Sequence, residues 1–145
     1  MRIDVAALAP EAYKAMLGLE RYLRSSGLPT QVVELVKLRA SQINGCAYCV
    51  HMHSSDMKKA GEPDERIWGV AAWRETPSFS PAERAALALT EEATRLADSA
   101  GVSDEAWGEA AKYFDDTQLA ALVVAISTIN AWNRIAVTTH KEPEA

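Results

Sequence analysis

The chain has 145 residues, of which 48% are hydrophobic and 24% are charged, and its formal net charge is −5. This length and composition are typical of one globular domain with a hydrophobic core, and they argue against a disordered chain. The negative net charge and the lack of any run rich in Lys and Arg argue against a nucleic-acid-binding surface, which needs clustered positive charge. The same features argue against attachment to an anionic membrane.

The apolar runs of the sequence are short. The longest unbroken one has eight residues, 119–126, whereas a membrane-spanning helix needs about 20. The N-terminal residues do not form a basic segment followed by a hydrophobic one, so we expect no signal peptide. We therefore expect a cytoplasmic protein, with neither a nucleic acid nor a membrane as its partner.

Helix signals recur along the chain, and no segment alternates like an exposed strand over a useful length. The first helix begins at Pro10, because proline is favoured at the first helical position, and it ends at the Ser-Ser-Gly turn of residues 25–27. Its predicted apolar stripe consists of Ala12, Met16, Leu19 and Leu23. The second helix runs from residues 29–30 to residues 44–45, and its wide apolar face predicts a central position.

The turn between the second and third helices carries Asn44 and Gly45, a pair suited to a left-handed helix cap. The third helix is predicted to begin at about Cys46 and to end near residues 58–61, where two lysines complement the helix dipole. A short fourth helix begins at Pro63.

Three further helices are predicted over residues 80–98, 103–114 and 115–138. The first of them begins with a capping box of Ser80 and Glu83, and the last begins with a second one of Asp115 and Gln118. We expect residues 119–126 of the last helix to be buried on most sides. The predicted fold class is therefore all-α, with about seven helices in a single domain over residues 1–145.

The reactive side chains are concentrated in residues 46–53, which contain both cysteines and two of the three histidines. Cys46 is expected in the first turn of its helix, where unpaired backbone N–H groups favour a thiolate. Cys49 is within disulfide reach on the adjacent turn. His53 follows Cys49 by four residues, so it shares a helix face with that thiol, and a base beside a thiol generates a nucleophile. His51 is expected to point to another face.

Glu34 lies between Val33 and Leu35 on the apolar second helix. If the turn at Gly45 packs this helix against the next, Glu34 faces the cysteine–histidine helix. A buried carboxylate needs a partner, and His53 or a water molecule is the natural one. This arrangement predicts a proton relay of carboxylate, imidazole and thiol; the alternative is an interhelical salt bridge from Glu34, for instance to Arg39 or Arg134.

Metal binding and structural burial are the alternatives to redox chemistry for the two cysteines. Zinc usually takes four tetrahedral ligands, and one helix cannot easily direct Cys46, Cys49, His51 and His53 inward together. We therefore expect no metal ion and no cofactor other than the Cys46–Cys49 dithiol itself.

This pattern resembles the AhpD-like alkylhydroperoxidases of the carboxymuconolactone decarboxylase superfamily. The resemblance rests on Glu34, on Cys46 twelve residues later, on the Cys-x-x-Cys motif and on His53 after three intervening residues. It extends to residues 38–46, 71–76, 80–84 and 129–135.

The resemblance implies an all-helical AhpD-like fold, a homo-oligomer (dimer, trimer or hexamer) and a peroxidase that cycles through a disulfide. It makes Cys49 the thiol that attacks the peroxide and becomes a sulfenic acid. Cys46 then supplies a proton and closes the disulfide, while Glu34 and His53 form the proton relay. It implies a dithiol electron donor, either a thioredoxin-like or a lipoyl-type protein.

The chain departs from the family at Tyr48, where the best-studied members have a histidine. Tyr48 is a candidate for the wall of the site or for a hydrogen-bond donor, and His51 is a weaker substitute for the missing histidine. Three other functions remain compatible with the sequence: a dithiol redox sensor or thiol–disulfide exchange protein, a non-redox lyase of the superfamily, and a helical oligomeric binding module.

Overall fold

The computed structural model describes residues 1–144, which form eight α-helices. The helices are α1 (Val5–Leu8), α2 (Pro10–Ser25), α3 (Thr30–Asn44), α4 (Ala47–Lys59), α5 (Asp64–Gly69), α6 (Pro81–Thr94), α7 (Asp104–Tyr113) and α8 (Asp116–Thr139). The predicted all-α fold is confirmed, and the seven predicted helices are present as α2 to α8. The sequence pattern did not predict α1, a single turn whose backbone N–H groups are capped by the Asp4 carboxylate.

The second predicted helix, α3, is central as expected. It packs against α4, α6 and α8, and it contributes to three clusters of the hydrophobic core. Both α6 and α8 begin with the predicted capping boxes. The fifth predicted helix was expected to reach Asp98, but α6 ends at Thr94 because Arg95 leaves the helical region with φ −92° and ψ 35°. A short 3-10 helix, Leu96–Asp98, follows.

The longest helix, α8, is apolar and long enough to cross a membrane, but 44% of its most apolar window is buried inside the fold. It packs against α3, α2 and α6. Leu119, Leu122 and Ile126 are buried as predicted, whereas Val123 is 43% exposed. The expectation of burial on most sides is therefore right for one face of residues 119–126 and wrong for the opposite face.

The first predicted helix, α2, is packed less deeply than its sequence pattern indicated. Leu23 is its one buried residue, whereas Leu19, a member of the predicted stripe, is 39% exposed. The reason is that α2 packs mainly along α1 and α8 at the edge of the bundle. A cavity lies between α2 and the bundle, lined by side chains of α2, α3, α4 and α8.

Candidate active site

The turn from α3 to α4 places the cysteines. Gly45 ends α3 with φ 66° and ψ 31°, the left-handed region that glycine adopts without steric cost. The Cys46 backbone N–H then donates to the Ser41 carbonyl at 3.0 Å. This is the C-terminal cap predicted from Asn44 and Gly45, and it brings α4 against α3.

A polar network ties this turn to α8. The Asn44 Nδ2 atom donates to the Oδ1 atoms of Asn130 and Asn133, each at 2.9 Å. Asn133 is fully buried and donates from Nδ2 to the Ser41 hydroxyl at 3.0 Å. Because buried amides are costly without partners, the network fixes the residues that precede Cys46. The sequence signal for it was the pair of asparagines on an otherwise apolar helix.

The two cysteines can form an intramolecular disulfide without a backbone rearrangement. Their Cα atoms are 5.3 Å apart and their Sγ atoms lie within bonding distance, in the range of about 4.4–6.8 Å that disulfides require between Cα atoms. Cys46 is the N-cap of α4, and its sulfur accepts the Cys49 backbone N–H at 3.2 Å.

The two sulfurs differ in what can reach them. Both residues are nearly buried, with Cys46 1% and Cys49 2% exposed. Cys49 lines the cavity beside α2, whereas Cys46 does not contribute to the lining. A molecule in the cavity therefore reaches Cys49 before it reaches Cys46.

Glu34 and His53 form a direct pair between α3 and α4. The His53 Nδ1 atom lies 2.9 Å from the Glu34 Oε2 atom, and the His53 side chain is 6% exposed. An ionised carboxylate only accepts hydrogen bonds, so it holds the proton on Nδ1 and leaves Nε2 to exchange a proton elsewhere. Glu34, His53 and Cys49 all line the cavity. The predicted partner of Glu34 is thus confirmed, and the alternative salt bridge to an arginine is wrong.

The cavity has a volume of about 680 Å³ and is mainly apolar. This volume falls within the roughly 300–1,000 Å³ typical of small-molecule sites. Besides Cys49 and the Glu34–His53 pair, its lining includes the large side chains of Tyr13, Leu17, Tyr48, Met52 and Trp132. The site can therefore hold an organic molecule next to a thiol with a proton acceptor beside it.

The residues of the candidate site lie within a match to a known protein family. The sequence profile of the carboxymuconolactone decarboxylase family matches residues 10–92, which include Glu34, both cysteines and His53. The chain belongs to the carboxymuconolactone decarboxylase family. The uncharacterized protein YdfG of Bacillus subtilis is 42% identical over 136 residues, covering 94% of this chain and 92% of YdfG.

Solved structures similar to this chain share its AhpD-like fold. ATU0492 of Agrobacterium tumefaciens, a protein of unknown function provisionally described as the antioxidant defence protein AhpD, is 40% identical with a TM-score of 0.94. The alignment covers 99% of this chain and 98% of ATU0492. The debrominase Bmp8 has a TM-score of 0.86 at 21% identity, over 96% of this chain and 74% of Bmp8, which shows a common fold.

Tyr48, the departure from the best-studied carboxymuconolactone decarboxylase family members, lies in the cavity wall. The Lys141 Nζ atom lies 4.1 Å from the centre of its ring, a cation–π contact from the C-terminal segment. His51 is exposed and outside the cavity lining, so its predicted direction is confirmed. The role of Tyr48 as the wall of an active site stays a prediction.

A second charged pair lines the same cavity and was not predicted from the sequence. Lys37 of α3 is 5% exposed, and its Nζ atom lies 2.5 Å from the Glu20 Oε2 atom of α2. The other Glu20 oxygen accepts the Trp132 indole N–H of α8 at 3.0 Å. The only sequence signal was a lysine within the apolar pattern of α3.

The cysteines do not form a metal-ligand set with the histidines. Among the described residues, ligand atoms of Glu34, His53 and Asp56 lie within 4.8 Å of one another. Asp56 is exposed, and three ligands leave this group one short of a structural zinc site, although catalytic zinc sites also have three protein ligands. The absence of a metal stays a prediction from the sequence.

Proposed function

We propose that this protein is a thiol-dependent peroxidase that reduces hydrogen peroxide or organic hydroperoxides through its Cys46–Cys49 dithiol. One observation carries the proposal: Cys49 and the Glu34–His53 pair line one cavity, and Cys46 lies at disulfide distance behind Cys49. A nucleophilic thiol, a proton acceptor and a resolving thiol are the three groups that this chemistry needs.

The first step oxidises Cys49. His53, oriented by Glu34, takes the thiol proton, and the thiolate attacks one peroxide oxygen. The O–O bond breaks as the S–O bond forms, which gives a Cys49 sulfenic acid. The proton returns to the departing oxygen, which leaves as an alcohol or, from hydrogen peroxide, as water.

The second step closes the disulfide. The Cys46 sulfur attacks the Cys49 sulfur; the S–S bond forms as the S–O bond breaks, and the sulfenic hydroxyl leaves with the Cys46 proton as water. Two electrons have passed from the dithiol to the peroxide. An external dithiol, of a thioredoxin-like or lipoyl-type protein, then reduces the disulfide by thiol–disulfide exchange and becomes a disulfide itself.

The fold alone does not select this reaction, because one fold can carry several activities. Bmp8 has the same fold and is named as a debrominase. The description of ATU0492, a relative of 40% identity, as an antioxidant protein supports peroxide chemistry. We also propose that the protein is a homo-oligomer, as the family implies. Light scattering after gel filtration measures its oligomeric state.

The proposal is tested by peroxide consumption with a panel of dithiol donors: dihydrolipoamide, reduced thioredoxin and dithiothreitol. We expect catalytic consumption of hydrogen peroxide or cumene hydroperoxide with at least one donor. If the disulfide exchanges rapidly with every donor while peroxide oxidises the dithiol no faster than it oxidises free cysteine, the protein is an exchange protein or sensor and the peroxidase proposal is wrong.

A further inference from the structure

The far wall of the cavity is formed by α2, a helix that has little hydrophobic anchoring of its own. Leu23 is its one buried residue. Leu17, which also lines the cavity, is 40% exposed. Contacts other than apolar burial therefore contribute to the position of this wall.

Glu20 supplies such contacts across the cavity. Its two oxygens accept from different helices, Oε2 from Lys37 of α3 and Oε1 from Trp132 of α8. The side chains of Lys37 and Glu20 are only 7% and 17% exposed. Charged side chains that are this buried need a partner of opposite charge. Removing one partner leaves the other buried and unpaired, which lowers the free energy of unfolding. Glu20 thus links α2 to the two helices that face it.

The same link orients the Trp132 indole. Its N–H is held by Glu20, and Tyr13 of α2 meets its ring edge to face, with ring centres 5.1 Å apart and planes at 67°. Tyr13, Leu17 and Trp132 line the cavity that Cys49 also lines. Trp132 also packs against the buried cluster that contains Cys46 and Cys49, so this apolar part of the cavity adjoins the Cys49 thiol.

We propose that the part of the cavity bounded by Tyr13, Leu17 and Trp132 is a subsite for the apolar body of an organic substrate. Glu20 is its positioning residue, because it ties α2 to Lys37 and to the Trp132 indole and so fixes where Tyr13 and Leu17 lie relative to that indole. Hydrogen peroxide has no apolar body, so it gains no binding energy from this subsite. The protein therefore prefers bulky organic hydroperoxides; this catalytic consequence rests on the proposed peroxidase function, whereas ligand binding does not.

Binding is tested on the oxidised protein with cumyl alcohol, the reduced product of cumene hydroperoxide. Of the four tryptophans, Trp132 is the one that lines this cavity, so its fluorescence reports occupancy. We expect a saturable change in the wild type that is lost in Trp132→Phe and weakened about tenfold in Glu20→Gln. Glu11→Gln, an exposed carboxylate on the same helix, is the control with unchanged binding. An equal signal in Trp132→Phe, or equal affinity in Glu20→Gln, overturns the proposal.

Turnover gives a second readout with a variant that leaves the buried charges intact. Leu17→Trp fills the subsite from an exposed position, and we expect it to lower kcat/KM for cumene hydroperoxide about tenfold more than for hydrogen peroxide. Glu20→Gln should shift this ratio in the same direction, and Glu11→Gln should not. If both peroxides are consumed and the ratio stays constant in Leu17→Trp and Glu20→Gln, the subsite is wrong and the peroxidase stands. If neither peroxide is consumed, the peroxidase is wrong and the fluorescence titration decides the subsite.

Discussion

The carboxylate of Glu34 contacts the Nδ1 atom of His53 at 2.9 Å, although the two residues lie on different helices and 19 positions apart in the chain. The contact depends on the left-handed turn at Gly45, which packs α4 against α3. Its consequence is chemical: the imidazole is held with Nε2 available to a group in the cavity that Cys49 lines.

The pair is expected to act as one unit. Glu34→Gln and His53→Gln should each lower kcat/KM for peroxide, by about 10²–10⁴ for the histidine, because general-base assistance is lost. The double variant should lose little more than His53→Gln alone, since both residues serve one proton path. Steady-state kinetics of the two single variants and the double variant measure this.

His51→Gln is the matched control for this series. His51 lies on the same helix but is exposed and outside the cavity lining, so its variant should keep kcat/KM within about twofold of the wild type. Additive losses in the double variant would contradict a relay, as would a loss in His51→Gln as large as that in His53→Gln.

Removal of the resolving thiol should trap the first intermediate. In Cys46→Ser, one equivalent of peroxide is expected to convert Cys49 to a sulfenic acid that cannot close a disulfide. Reaction with dimedone followed by mass spectrometry of the Cys49 peptide detects it. The wild type, treated in the same way without an external thiol, should form the disulfide and show little label. An unlabelled Cys49 in the variant, with its thiol still free after peroxide, would show that Cys49 is not the attacking group.

Tyr48 is expected to act as cavity wall and not as a proton donor. Tyr48→Phe keeps the ring beneath the Lys141 ammonium and should change kcat/KM by no more than about twofold. Tyr48→His restores the imidazole found in the best-studied relatives and should raise the rate, because it adds a proton-transfer group to the cavity. A loss of more than about tenfold in Tyr48→Phe would instead assign proton donation to the phenol hydroxyl.

Glu91 is expected to stabilise the fold in a pH-dependent way. Burial raises the pKa of its carboxyl, but hydrogen bonds from Arg74 and Trp73 and the charges of Arg74 and Arg39 outweigh burial and hold the pKa below its ordinary value of 4.5. Its contribution to the free energy of unfolding is therefore complete above pH 4.5 and is lost as the pH falls through the lowered folded-state pKa.

Urea unfolding of Glu91→Gln measures this effect. At neutral pH the variant should be less stable by about 1–3 kcal/mol, since it loses charge-assisted hydrogen bonds. The difference from the wild type should shrink as the pH drops below the ordinary carboxyl pKa. A difference that is constant from neutral to acidic pH would assign the effect to packing alone.

Local chemistry made much of the fold predictable. The capping boxes at Ser80 and Asp115 and the cap at Gly45 depend on a few neighbouring residues, and each is present where it was expected. Leu19 and Val123 were misjudged because apolar periodicity marks a face without showing whether a neighbour covers it. The helix α1 was missed because a four-residue helix has no periodicity to detect.

In the candidate site, too, the contacts within one helix or across one turn were predictable and the long-range contacts were not. Cys49 and His53 are four residues apart, so helix geometry placed them on one face. The contact of Glu34 with His53 followed from a single turn. By contrast, Glu20 reaches residues 17 and 112 positions away. Such contacts depend on how α2 packs relative to α3 and α8. No local pattern in a single sequence predicts that packing.

The central claim is that peroxide oxidises Cys49 and that Cys46 closes the disulfide. The most direct measurement is titration of the reduced protein with limiting hydrogen peroxide or cumene hydroperoxide, followed by a count of free thiols. We expect the loss of two thiols per peroxide, their return on addition of dihydrolipoamide, and no rapid reaction in Cys49→Ser. Peroxide consumption by Cys49→Ser at the wild-type rate would contradict the account.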